Sequence, residues 1–161
     1  RHASARYHNL GYPTRALRTK DFLYIRNFRP ERWPAGDPCA IDKNGKTGAM
    51  HSAYHDIDQC PAWDFIVANR DDREIYPYFL KAAGKRPYEE LYNVSSDPGC
   101  LHNLIGNGKY TEKLNNLRKE MDKLLKKTKD TRYLDDPTQD DIWETYPRLS
   151  GAMRTFPEPL F

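Results

Sequence analysis

One apolar stripe sets the terms on which this chain can fold. Tyr110, Leu114, Leu117, Met121 and Leu124 recur at alternating steps of four and three. That spacing gathers them on one face of a helix of about five turns. Lys and Glu fill much of the rest, so one face must be buried and the other can stay in water. The stripe stops after about two heptads, too soon for a coiled coil. Its natural cover is therefore a small sheet. The Lys-rich face is either solvated or a surface that touches phosphate or sulfate groups.

Strands to form that sheet lie upstream. "YPTRALRT" and "FLYIRNF" read as a β-hairpin turning at Thr19, Lys20 and Asp21. The first half of Phe22 to Phe28 is almost continuously apolar, which suits a strand covered on both faces. "YEELYNV" is a third strand. It runs into "SSDPG", where Asp97 and Pro98 start a turn and Gly99 supplies freedom for positive φ. Between hairpin and third strand lies a different kind of sequence. Four prolines and three glycines from Arg29 to Trp63 exclude any continuous helix or strand there. A long loop of this kind is uncommon in a compact domain and is often functional or packed on a neighbour. Two short helices are expected after it, Ala62 to Ala68 and "EIYPYFLKAAG", the latter closed by Gly84 as a C-cap. After Asp130 the chain turns irregular again.

The expected fold is therefore α+β: an antiparallel sheet of three to four strands on one long C-terminal helix, with a Pro/Gly-rich loop and an irregular tail. As a single domain, 1–161 divides into a linker (1–13), a hairpin (14–28), the long loop (29–63), a strand (88–94), the helix (109–128) and the tail (130–161). Hydrophobic residues make up 38% of the chain, against about 45–50% in ordinary soluble domains. Either the surface is rich in loops, or part of the core lies on another body. A net charge of +3 from mixed signs gives no case for nucleic acid. No apolar run approaches the roughly 20 residues that span a bilayer.

Complete catalytic constellations are missing. The sequence holds no GxSxG, P-loop or GxGxxG motif. His51 and His55 are four apart, but no Glu follows the first, and the surrounding residues disfavour a helix. Asp56 and Asp58 could bind a cation or serve a turn or salt bridge. Cys39, Cys60 and Cys100 contain no CxxC pair; Cys39 and Cys60 are either a disulfide or independent thiols. Asn93-Val94-Ser95 matches a glycosylation sequon. The loop's Trp33, His51, Tyr54 and His55 suit either a sugar-facing surface or local packing.

Several segments taken together resemble the C-terminal part of sulfatases. "GYPTRALRTKDFLYIRNFRPERWPAGDP" is similar to the small C-terminal subdomain of bacterial sulfatases like heparan N-sulfatase, as are "YHDIDQCPAW" and "DIWETYPRLSGAMRTFPEP". "EELYNVSSDPGCLHNLIGN" resembles the ELY…DP…NL segment before the last helix of sulfatases generally. The resemblance implies a subdomain leaning on a large catalytic domain that precedes Arg1. It implies hydrolysis of sulfate esters or N-sulfates on glycosaminoglycan-like sugars, in the periplasm or outside the cell. In such enzymes a Cys or Ser in C/S-x-P-S/A-R matures to formylglycine, and calcium helps to stabilise the sulfate charge. Cys60 is followed by Pro61-Ala62-Trp63 and does not match, so no catalytic or metal-binding residue is expected in this chain. The resemblance places His2 near the mouth of the substrate pocket, with Arg1, Arg6 or Arg15 as charged neighbours of an anionic sugar. The alternative functions are a non-catalytic glycan-binding module and a purely structural one.

Overall fold

The structure, a computed structural model, describes residues 12–42, 44, 46–54 and 56–130. The elements run β1 (Thr14–Arg18), β2 (Phe22–Asn27), β3 (Cys39–Ile41), β4 (Thr47–Met50), α1 (Pro61–Ala68), α2 (Tyr76–Ala83), β5 (Glu89–Asn93) and α3 (Thr111–Lys127). Their arrangement is α+β. β1, β2 and β5 form an antiparallel sheet with β2 in the centre, and β3 and β4 form a separate two-stranded sheet. The linker (1–11 of it) and the tail from 131 onward lie outside the described residues.

The length fits one domain, within which the chain forms two compact units. One contains Pro13–Pro30 and the stretch from Arg86 through α3. The other contains Glu31–Lys85, because the Pro/Gly-rich segment closes an aromatic core of its own.

In the first unit, a short turn joins β1 to β2. Thr19 N–H donates to the Phe22 carbonyl at 2.8 Å, and the Thr19 hydroxyl accepts from Phe22 N–H at 3.0 Å. Tyr24 and Leu91 are register partners in β2 and β5, and both are fully buried. They pack against Leu114, Leu117, Met121 and Leu125 of α3. Leu125, and not Leu124, is the last buried position; Leu124 remains 40% exposed. At 100° per residue, both leucines lie about 50° from the centre of the stripe. Periodicity cannot choose between them, and the position of the sheet does.

β2 also departs from the expected apolar pattern. Its most buried positions include Arg26 and Asn27, while Leu23 and Ile25 are only half-buried. Arg26 donates to Asp122 of α3 at 2.6 Å and to the Tyr24 hydroxyl. Tyr24 donates in turn to Glu89, which is held by Arg118 of α3 through an Nε–Oε1 bond of 2.9 Å. The Arg118 hydrogen bond, joined by that of Tyr24, holds the Glu89 carboxyl below its usual range despite burial. Burial and the Glu89 bond push the Tyr24 phenol up to about 12. On the neighbouring positions, Glu90 is 2% exposed and is bound by Asn27, Arg86 and Tyr92. These carboxylates are paired and hydrogen-bonded, as buried charges must be.

The ELY…DP…NL segment owes its pattern to β5. That strand pairs with β2 on one side only, leaving a backbone edge to cover. Asn103 Oδ1 accepts from Leu91 N–H at 2.9 Å, and Leu104 N–H donates to the Leu91 carbonyl at 2.8 Å. The Asp97 carboxylate accepts from Leu101 N–H and His102 N–H at 3.1 and 2.8 Å, which curls the loop back to the strand. The positive φ of this loop falls on Cys100 (52°), not on Gly99. The Asp97 clamp, rather than glycine freedom, shapes the turn.

The second unit corrects the picture of a structureless loop at 29–63. Asp42 accepts from Asn44 N–H and Lys46 N–H at 2.8 and 2.9 Å, a side-chain turn that closes the β3–β4 hairpin. Pro38 precedes β3 and Pro61 opens α1, so neither interrupts an element. Gly84 is the C-cap of α2, but its φ is −66°. A Cβ there would lie 2.7 Å from the Leu80 carbonyl oxygen, so the position needs space and not a left-handed backbone.

Leu117→Ala is expected to destabilise the fold by about 2–5 kcal/mol, and Leu124→Ala by well under half as much; urea unfolding of both variants checks the assignment. Asn103→Ala, which leaves the Leu91 N–H without its acceptor, is expected to cost about 1–3 kcal/mol. Asn103→Asp, which keeps an acceptor there, is expected to recover most of that loss in the same measurement.

Candidate functional site: an aromatic-walled cleft

The site begins with how α1 and α2 meet. Pro61 occupies the start of α1, where the missing N–H costs nothing. Two residues on, Trp63 stacks on Phe79 of α2, with ring centroids 6.4 Å apart and planes 14° apart. Tyr54 meets Trp63 edge-on at 5.0 Å. Ala35, Ala83, Ile57, Ile66 and Val67 complete this core. His51 packs edge-on against Phe79 at 5.3 Å. Its backbone is left-handed (φ 65°), a conformation that non-glycine residues keep only when their surroundings enforce it.

A cleft of about 380 Å3 opens beside this core. Tyr54, Ile57, Trp63 and Val67 give it an apolar wall, and His51, Ser52, Gln59 and Asp64 contribute polar groups. His51 Nδ1 lies 2.5 Å from the Tyr54 hydroxyl. Burial pushes the Tyr54 phenol up to about 12, so it stays protonated and donates to Nδ1. The imidazole proton then resides on Nε2. Burial first, and the nearby Arg70 charge second, hold His51 below its ordinary pKa. The ring is therefore neutral at neutral pH. Ser52 is committed elsewhere: its hydroxyl accepts from Ala40 N–H and donates to the Ala49 carbonyl.

The residues singled out from the sequence are scattered. Arg1, His2, Arg6 and His55 lie outside the described residues. Arg15 sits on β1 and binds Asp130 through its Nε at 2.7 Å. Trp33 lies under the Lys85 ammonium, 5.1 Å from the ring centroid. Tyr54 serves local packing and walls the cleft, which His51 also borders. The Asn93 side chain accepts from Ser95 N–H and Ser96 N–H and organises the turn after β5. Cys39, Cys60 and Cys100 are thiols, Cys39 buried and Cys60 exposed at the N-cap of α1. Among the described residues, no three His, Cys, Asp or Glu side chains come together as metal ligands, and no helix is long and apolar enough to cross a membrane. No sequence signal marks Gln59, Trp63 and Asp64 as members of one site. "QCPAWD" reads as a helix start, and which of its side chains border a cavity depends on α2.

Over 111 residues the chain is 34% identical to a protein of Formosa agariphila described as an ulvan-active sulfatase. The matched stretch is 69% of this chain and 16% of that protein, so the chain spans a small part of its relative's length. No protein-family profile matches. The chain is thus sulfatase-related over most of its length, and the Asp97–Asn103 clamp falls in the segment whose pattern first pointed there.

In an NMR titration, His51 is expected to protonate below about pH 6.5, the usual histidine value, and Arg70→Ala to move its midpoint upward. The unfolded chain binds this proton first as pH falls. The fold therefore keeps the associated stability above pH 6.5 and loses it progressively below.

Proposed function

We propose that this chain is the C-terminal portion of a secreted or periplasmic sulfatase that hydrolyses sulfate groups on sulfated glycans. The observation that carries this reading is the 34% identity over 111 residues to a sulfatase of which they make up 16%. The chain's role is to buttress a catalytic domain and border its substrate cleft. The nucleophile and the calcium ion of sulfatase chemistry are assigned to that domain. Cys60 opens α1 outside the required pentapeptide, and among the described residues no three His, Cys, Asp or Glu side chains come together. Either O-sulfate or N-sulfate is a substrate under this reading. The relative's name adds ulvan to the glycosaminoglycan-like sugars worth testing. His2, with Arg1 and Arg15 as charged neighbours, is the proposed contact to an anionic sugar.

The test is turnover by the full-length gene product that contains this chain, with ulvan, a sulfated disaccharide and an aryl sulfate as substrates. The full-length enzyme is expected to be active. The 161-residue chain alone is expected to be inactive, with or without calcium. In the full-length enzyme, His2→Ala is expected to lower kcat/KM on the disaccharide about tenfold to hundredfold, with little change on the aryl sulfate, since only the larger substrate reaches this side. Turnover by the isolated chain that tracks point substitutions in it would overturn the reading. So would a full-length product inert on every sulfated substrate.

A further inference from the structure

We infer that the cleft beside α1 binds an uncharged, hydroxyl-rich sugar ring through Gln59 and Asp64, with the ring's C–H face against the Trp63 wall. Its volume of about 380 Å3 falls in the range of small-ligand sites. The wall and the polar groups sit on the same cavity, the pairing that a sugar needs. A sugar offers apolar C–H faces and a rim of hydroxyls that both donate and accept. The Gln59 amide both donates and accepts, and the Asp64 carboxylate accepts from two neighbouring hydroxyls. Both side chains are exposed and make no hydrogen bond or ion pair among the described residues, so ligand binding disrupts no described contact. His51 adds a fixed group: with Nδ1 committed to Tyr54, Nε2–H is left to donate. Its left-handed backbone is held by ring contacts on two sides, which keeps that donor in place.

Charge selects the ligand class. Among the described residues no Lys or Arg lines the cleft, and Asp64 does. A sulfate group entering here would meet the Asp64 carboxylate on the lining itself, with Arg70, whose charge reaches His51 and Tyr54, outside that lining. A neutral ring meets no such penalty. On the sulfatase reading, from which this inference takes its place on a glycan, the cleft grips an unsulfated ring of a polymer whose sulfated ring is processed elsewhere. Binding itself is a property of this chain and does not require that reading.

The experiment is a titration of the 15N-labelled 161-residue chain with methyl glucoside, cellobiose and glucose 6-sulfate. The neutral probes are expected to shift the Trp63 indole N–H and the Ala53 and Ala68 amides, and glucose 6-sulfate to bind more weakly than methyl glucoside. Gln59→Ala and Asp64→Ala are each expected to weaken cellobiose about tenfold, with the melting temperature unchanged because both positions are exposed. Asp64→Lys is expected to reverse the preference towards glucose 6-sulfate. The inference fails if no probe shifts these signals at concentrations on the order of 100 mM. It also fails if the shifts persist undiminished in the Gln59→Ala, Asp64→Ala double variant, or if the unsubstituted chain prefers the sulfated probe. Turnover by the full-length enzyme is scored separately. An active enzyme whose cleft binds no sugar removes only this inference, and sugar binding beside an inert full-length enzyme removes only the sulfatase reading.

Discussion

The packing of Tyr24 and Leu91 under α3 is the contact on which the sheet unit rests. A sheet with one apolar face must bury it against another element, and an isolated helix of 17 residues is marginal. Each makes the other possible. The contact is unusual in being built around a phenol whose hydroxyl must also be satisfied. Glu89 accepts from it, Arg26 donates to it, and Arg118 and Asp122 of α3 complete the chain of bonds. Helix and sheet are thus joined by an apolar seam with a charged clasp along its margin. A slip of α3 along the sheet would break the clasp and leave a buried guanidinium unpaired, which is costly.

The same logic gives the ELY…DP…NL pattern a structural meaning. Its invitation to function is strong, since acidic and amide side chains at fixed spacing often mark chemistry. Here Asp97 and Asn103 spend their oxygens on backbone N–H groups. Backbone bonding by His102, and then by Leu101, also holds the Asp97 carboxyl below its usual range. The segment covers the free edge of β5 and delivers the chain to α3. A motif shared with sulfatases can therefore persist for the sake of the fold, and it says nothing by itself about which sulfate is cleaved.

Charge distribution separates the two candidate roles. The proposed sulfatase chemistry demands cations around a dispersed negative charge, and the cleft beside α1 offers a neutral imidazole, an amide and a carboxylate. The two proposals thus make opposite demands on charge, and the carboxylate on the lining of the cleft matches the neutral ring.

Much of the architecture could be read from residue order because it rests on local physics. The hairpin, the third strand and the helix each follow from periodicity and turn chemistry over a few residues. So does the exclusion of a nucleophile motif, since that is a matter of adjacent letters. Tertiary structure decided what short-range rules leave degenerate. Leu124 and Leu125 stand equally far from the stripe's centre, and only the sheet makes Leu125 the buried one. Arg26 and Asn27 look like solvent-facing residues until partners from Asp122 and Glu90 make their burial tolerable. The long Pro/Gly segment appears structureless because its stability comes from rings far apart in sequence, Tyr54, Trp63 and Phe79. The cleft is the extreme case: Gln59 and Asp64 have ordinary neighbours along the chain, and only the fold sets them on one cavity with Tyr54 and Trp63.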